Sequence, residues 1–317
     1  MTKHSIVFAG IDIGKHQLDL ALKGARARLE VANEPVGHDK AVSWLKRHKV
    51  ERIGVEATGG YEKNVVRALR RAGFEVAVLQ PLQVRAYARF RLKLAKNDKL
   101  DASIIAECVA SIEEVRAAPD PRFEAFAAAQ TLIDQLNDDI VTYKTRLESV
   151  PDETARMFWK QEIAARQAQI RRARKALCAA MREHSDLAAK LDLIISVQGV
   201  AEKTAMAILI RMPEIGALSR EKVAALAGLA PYDDDSGART GQRHIKGGRA
   251  RLRASLYAAA FAATFHWNAQ LKSLYQRLRA KGKKHKIALV ACARKLLVFV
   301  NTVVARATPW RASPATT

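Results

Sequence analysis

Short alternating runs open the chain. Residues 5–13, 17–23 and 27–32 each predict a strand, and GIDIGKHQLDLAL, which spans the first two, is an alternating apolar run. Tight connections make the three a meander. The period then lengthens. Residues 38–49 predict a helix, 51–56 a strand, and 60–72 a helix stopped by Gly73. Residues 74–79 predict another strand, closed by Pro81, and 82–92 and 97–113 predict two more helices. Near residue 118 the pattern breaks at AAPDPR. From there to about 190 the chain is almost wholly helical. Leu132, Leu136, Ile140, Tyr143 and Leu147 step by four, four, three and four, a heptad-like seam. Pro151 interrupts it. Trp159, Ile163, Ile170, Leu177 and Met181 then mark a second long helix over 153–184, about 48 Å at 1.5 Å per residue.

Three domains are expected from this pattern: 1–118, 119–190 and 191–317. The fold class is α/β plus all-α. A meander followed by alternating helices and strands describes an RNase H-like α/β domain. The middle segment describes a coiled-coil arm, and the last third is mostly helical. That last third opens with LIISVQGVAEKTAMAIL, which is similar to a helix-hairpin-helix element. Gly199, Lys203 and Thr204 are the positions where such a turn would meet a phosphate. A plain packing unit with a glycine cap fits the same residues equally well. LSREKVAALAGLAP predicts a helix capped by Ser219 and ended by Gly228 and Pro231. The polar, glycine-rich stretch YDDDSGARTGQRHIKGGRARLR cannot form core and predicts a site or a nucleic-acid contact. The basic run RQAQIRRARK is either a solvated face or a phosphate contact.

Charge narrows the function. Lys plus Arg number 54 and Asp plus Glu 32, a formal charge of +22. A surface this basic attracts polyanions, and nucleic acid is the expected partner. The three cysteines, Cys108, Cys178 and Cys292, have no metal-site spacing and read as core residues of a reducing compartment. No secretory signal is visible at the start. The longest apolar stretch, IALVACARKLLVFVNTVVA, is interrupted by Arg294 and Lys295, so a packed helix is expected rather than a membrane span. The expectation is a cytoplasmic protein.

Four acids carry the candidate chemistry. Asp12 lies in the first strand and Glu56 at the end of another. Asp98 and Asp101 stand at i and i+3 in the first turn of a helix. Oxygen donors of this kind suit Mg²⁺ or Mn²⁺, and a pair of such ions can serve an in-line displacement at phosphorus. Glu62, in the following helix, is a weaker substitute for Glu56. Each acid taken singly is equally well a turn residue or a cap. Far downstream, Ser236 sits in an SG turn among basic residues, where it is a candidate nucleophile or an ordinary turn residue. GIDIGKH is also similar to the phosphate-binding turn of sugar kinases and actin-like ATPases, but no second phosphate loop or adenosine pocket is evident in the sequence.

In combination and in order, GIDIGKHQLDLAL, GVEATGGYE, KNDKLDA, VQGVAEKTAMAIL, VAALAGLAP, DSG and IKGGRARLRASLYAAA make nearly the whole chain resemble the DEDD transposases of bridge-RNA-guided insertion sequences, a family of serine-dependent recombinases. The resemblance implies a RuvC-like domain at 1–118, a coiled-coil arm at 119–190 and a transposase domain at 191–317. It implies Mg²⁺ at Asp12, Glu56, Asp98 and Asp101, and a covalent 5′-phosphoserine link at Ser236. It implies donor and target DNA, a structured noncoding guide RNA and a homo-oligomer, dimer or tetramer, as partners. Lys203, Thr204, Arg239, Arg243, Lys246, Arg249, Arg251 and Arg253 are the expected nucleic-acid contacts. The acidic stretch DQLNDDI in the first arm helix departs from that picture and argues against RNA contact there. Two other readings remain: a RuvC-like structure-specific nuclease in which water attacks, and a non-catalytic nucleic-acid-binding protein.

Overall fold

The computed structural model describes residues 6–92, 98–115, 118, 120–232 and 244–311, with the backbone alone at 98–100. The chain divides into two units, Met1–Pro119 and Asp120–Thr317.

The first unit is a five-stranded sheet covered by helices on both faces. Its elements are β1 (Phe8–Ile13), β2 (Gln17–Leu22), β3 (Arg28–Ala32), α1 (Pro35–Arg47), β4 (Arg52–Glu56), α2 (Lys63–Arg71), β5 (Glu75–Leu79), α3 (Pro81–Phe90) and α4 (Asp98–Ala110). The strand order is β3-β2-β1-β4-β5. The first three strands pair antiparallel, as the meander requires, and β4 and β5 join parallel to β1. Helix α1 starts three residues earlier than its periodicity predicts. Pro35 occupies its first turn, where a missing amide costs nothing.

Alternation assigns the two faces of the sheet. Ile11, Ile13, Leu18, Leu20, Ile53 and Val55 join one core with residues of α1 and α2. Ala77 and Leu79 of β5 join a second core with Val84 of α3 and Ile104, Ile105, Cys108 and Val109 of α4.

The second unit contains α5 (Arg122–Ser149), α6 (Glu153–Arg182), α7 (Ser185–Ile195), α8 (Glu202–Arg211), α9 (Arg220–Leu226), the short strands β6 (Pro231–Tyr232) and β7 (His244–Ile245), α10 (Ala250–Ala262), a π-turn (Ala263–Trp267), α11 (Ala269–Ala280) and α12 (His285–Ala305). Helices α5 and α6 form a hairpin. Asp152 caps α6 by accepting from the Ala155 amide at 2.8 Å. Near the turn the Tyr143 and Trp159 rings meet at 5.2 Å, and Arg156 donates to the Leu147 and Val150 carbonyls. One member of the expected seam is misplaced. Ile133 is buried, whereas Leu132 is 51% exposed. Phe126, Ile133, Ile170 and Leu177 pack into the same core as α7–α12, so the hairpin's base is anchored in the helical unit.

Helix α12 is the one helix among the described residues long and apolar enough to cross a membrane. Cys292, Leu296, Leu297 and Val300 are fully buried on it, while Lys295 is exposed, which is the pattern of a core helix. All three cysteines are buried, and burial pushes each thiol above its usual range.

Candidate active site

Two glycines decide where the acids go. Gly10 of β1 and Gly54 of β4 are register partners on the face that α4 covers. A Cβ on Gly10 would overlap the Ala102 carbonyl oxygen and the Ala106 amide nitrogen of α4. A Cβ on Gly54 would lie 3.0 Å from Ile105 Cγ2 and 2.9 Å from Val109 Cβ. The helix therefore rests on bare strand backbone. Two residues further along each strand, on the same face by the period of two, stand Asp12 and Glu56. Asp101 immediately precedes Ala102, so the close seat of α4 carries it toward both.

The protonation of Glu56 records that convergence. Burial pushes its carboxyl above the usual glutamate range. The negative charge of Asp12 adds to the rise, the Arg85 guanidinium of α3 opposes it, and Asp101 adds again. Asp12, Glu56 and Asp101 are all half-buried. Oδ1 of Asp12 accepts from the Ile13 amide at 2.9 Å, and Asp19 stands opposite Asp12 in the β1–β2 register. The donor set is oxygen only and more negative than its burial favours, which suits a hard divalent cation. Among the described residues, no three such side chains are already gathered into a metal-ligand group. Asp98 begins α4, and its side chain lies outside the described residues.

Neighbouring loops are tied so that the two acid-bearing strand ends stay in register. Nδ2 of Asn33 donates to the Gly14 carbonyl, just after β1, at 3.0 Å and to the Tyr61 carbonyl, in the loop after β4, at 3.3 Å. Its Oδ1 meets Nε2 of the buried His38 at 2.8 Å. Burial holds the His38 ring below its usual pKa, against the charges of Asp39 and Glu34. Glu62 is occupied elsewhere. It accepts from the Thr58 amide and hydroxyl, each at 3.2 Å, and from the Gly60 amide at 2.8 Å. Burial acts to raise its pKa, but these hydrogen bonds outweigh burial and hold it low. Glu62 therefore closes the glycine loop, and Glu56 faces the other acids.

Sequence reasoning missed Arg85, Asn33 and the glycine pair. The glycines did leave a signal, since GID and GVE each place Gly two residues before the acid.

In the second unit, β6 and β7 pair through Pro231 with Ile245 and Tyr232 with His244, which brings together the two ends of segment 233–243. Ser236, Arg239 and Arg243 lie within that segment, outside the described residues. The KGG turn that follows is built for packing. Gly247 and Gly248 have φ of +65° and +70°, and a Cβ on Gly248 would overlap the Gly228 backbone at the end of α9.

Three of the expected nucleic-acid arginines are engaged within the fold. Arg249 makes a fork to Glu214 at 2.7 and 2.9 Å. Arg251 makes one to Asp138 on α5. Arg253 donates to the Gly247 carbonyl at 2.7 Å. A guanidinium held in a bidentate carboxylate pair has its best donor geometry already used; Arg249 ties the start of α10 to the turn after α8, and Arg251 ties α10 to α5. Thr204 is buried, and Gly199 turns at φ +93° with no room for a Cβ against Ala263. The glycine turn between α7 and α8 thus serves close packing. Lys203 and Lys246 remain exposed.

Residues 9–155 match a transposase family of the IS110 DEDD type. Residues 191–276 match the transposase IS116/IS110/IS902 family. The chain is also similar to a pilin gene-inverting protein of Moraxella lacunata and to one of Moraxella bovis. Identity is 24% over 325 aligned positions in each case, covering 96% of this chain and 98% of the relative.

Proposed function

This chain carries IS110-family transposase domains and is a DNA transposase/recombinase, and on that premise we propose that it exchanges DNA strands through a phosphoserine at Ser236, served by a divalent ion at Asp12, Glu56, Asp98 and Asp101. The observation that carries the reading is the close seat of α4 on Gly10 and Gly54, which gathers the acids where burial, and then the charges of Asp12 and Asp101, push the Glu56 carboxyl above its usual range. A DEDD-type transposase domain accords with divalent-metal use. The strand order β3-β2-β1-β4-β5, with acids on two adjacent strands and a covering helix, supports a RuvC-like reading of residues 1–118. A bound Mg²⁺ would neutralise charge on the scissile phosphate.

In the first step the Ser236 hydroxyl loses its proton and its oxygen attacks phosphorus. An Oγ–P bond forms, and the 3′ oxygen leaves and takes up a proton. In the second step a 3′-hydroxyl of another strand attacks the phosphoserine and Ser236 departs. One phosphodiester is broken and one is made, so no outside energy source is needed. The relatives named for inverting a pilin gene accord with such a rearrangement.

The selection of donor and target DNA is assigned to a structured noncoding guide RNA, which the charge of +22 suits. Homo-oligomer contacts are assigned to the 119–190 arm, where Leu132, Val141, Met157 and Phe158 are exposed apolar groups. The remaining region, 191–317, is assigned as the transposase domain that carries Ser236.

The test is a covalent adduct. Labelled flanking DNA, incubated with the protein and Mg²⁺, is resolved on a denaturing gel beside Ser236→Ala. An adduct that disappears in the variant supports serine transesterification. Cleaved DNA without an adduct, unchanged in the variant, overturns it in favour of hydrolysis by a RuvC-like nuclease.

A further inference from the structure

Residues 236–317 contain seventeen Lys and Arg and not one Asp or Glu. This last quarter of the chain therefore supplies most of the +22 charge, and its own sequence offers no internal counter-charge. Inside it the helical pitch changes. Helix α10 gives way at Ala263 to the π-turn that ends at Trp267. Widened turns of this kind recur at functional sites because they re-aim side chains. Here three large rings stand in water: Phe261 is 47% exposed, Phe265 37% and Trp267 65%. Aromatic side chains normally supply a large share of core burial, so leaving three within seven residues exposed is costly unless something covers them.

Most of these rings are held in place. Phe261 and Phe265 meet edge to face at 5.1 Å, and Phe265 meets Tyr275 of α11 at 5.1 Å. The His285 ring lies over Phe265 at 6.4 Å with 17° between planes. The Tyr275 hydroxyl and His285 Nδ1 are 2.7 Å apart, which ties α11 to the start of α12. The connecting turn is equally defined. Gly282 adopts φ +73°, and Arg279 donates to the Lys283 carbonyl at 2.7 Å. Lys281, Lys283, Lys284 and Lys286 are exposed on it, and no carboxylate among the described residues pairs with them. Two of these lysines flank His285 in sequence, beside the rings.

We propose that the exposed rings of Phe261, Phe265 and Trp267 bind the unpaired bases of single-stranded DNA, with its phosphates held by the lysines of the 281–286 turn. Exposed aromatic rings beside cations complement what single strands offer and duplexes withhold, bare base faces beside phosphates. In a duplex the base faces are covered by neighbouring bases, and only the phosphates remain for the lysines. The occupant is DNA because the enzyme acts on DNA, and a strand in transit between partners must lie unpaired. The proposal rests on that activity and not on the identity of the nucleophile.

The test uses the full-length protein, oligo-dT, oligo-U and a DNA duplex of equal length, with affinities measured by fluorescence anisotropy over a range of salt. Trp267→Ala should weaken oligo-dT binding by roughly tenfold, the scale of one stacked base, and leave duplex affinity unchanged. Oligo-dT should quench tryptophan fluorescence in the parent and less so in Trp267→Phe. Lys281→Gln/Lys283→Gln/Lys284→Gln should lower the slope of log affinity against log salt by about 0.7 for each phosphate that is no longer neutralised. Trp267 stands apart from the ring pairs that join Phe261, Phe265, Tyr275 and His285, so its variants keep the test intact if Phe265→Ala fails to fold. Three results overturn the proposal: oligo-dT affinity unchanged in Trp267→Ala and Phe261→Ala, oligo-dT and duplex weakened equally, or oligo-U bound more tightly than oligo-dT.

Discussion

Replacing Gly10 with alanine probes the seat of α4 without touching an acid. The new Cβ would overlap backbone atoms of Ala102 and Ala106. Helix backbone cannot rotate away as a side chain can, so α4 must retreat from β1 by on the order of 1 Å, an overpacking cost of about 1–3 kcal/mol. Asp101 moves with the helix while Asp12 stays on its strand. Misplacement of a reacting group by about 1 Å costs about 10²-fold in rate, so strand transfer should fall by about that factor. Gly54→Ala is the matched control. Its nearest approaches are 2.9 Å to Val109 Cβ, 3.0 Å to Ile105 Cγ2 and 3.1 Å to the Ile105 carbonyl oxygen, against outright overlap with helix backbone at Gly10, so a much smaller displacement of α4 relieves them and its loss should be several-fold smaller. Strand transfer is measured at saturating Mg²⁺, with thermal unfolding followed on the same samples to confirm that each variant is folded. A folded Gly10→Ala protein with parental strand transfer and parental Mg²⁺ dependence would refute the argument that the glycine pair sets the spacing of the acids.

Four further outcomes follow from the same geometry. Glu56 has a folded-state pKa raised by burial and by its acidic neighbours. Its contribution to stability is present below the ordinary glutamate pKa and is lost as pH rises through the raised value. Glu56→Gln should accordingly raise the melting temperature of the metal-free protein at pH 7 and leave it nearly unchanged at pH 4; a lower melting temperature at pH 7 would count against the clustering. Asp98→Asn should abolish cleavage while keeping DNA affinity, and loss of affinity with cleavage intact would remove Asp98 from the metal site. Arg249→Ala removes a half-buried fork to Glu214 and should lower the melting temperature more than Arg251→Ala, whose partnership with Asp138 is largely solvated; calorimetry of the two variants decides. DNA affinity should drop steeply between low and moderate salt, and a flat response in a binding titration would contradict the electrostatic reading.

The order of elements in the first unit was legible in the sequence because strand and helix periods differ. The predicted runs match β1 to β5 and α1 to α4 to within a few residues at most of their ends. Charge was legible too, since it is a count. The four acids and Ser236 could be picked out by type and context. The roles of the arginines could not. Arg249, Arg251 and Arg253 read as phosphate contacts because they cluster in a glycine-rich stretch. Arg249 finds its carboxylate 35 residues away and Arg251 finds its own 113 residues away, distances that no local pattern spans. For Gly199 and Thr204 the sequence left a phosphate turn and a packing unit equally open, since both have the same local pattern, and only the fold shows Gly199 packed on Ala263 and Thr204 buried.

The sequence by itself determined the alternation, the breaks, the charge and the presence of GID and GVE, because each depends on neighbours within a few residues. Only the tertiary structure decided that those two glycines are register partners under one helix. Sheet pairing joins β1 to β4 across some forty residues, and close packing of α4 on bare backbone then fixes which face Asp101 presents. Asp12 and Asp101 reach Glu56 electrostatically because the fold half-buries, side by side, groups that the chain order keeps far apart.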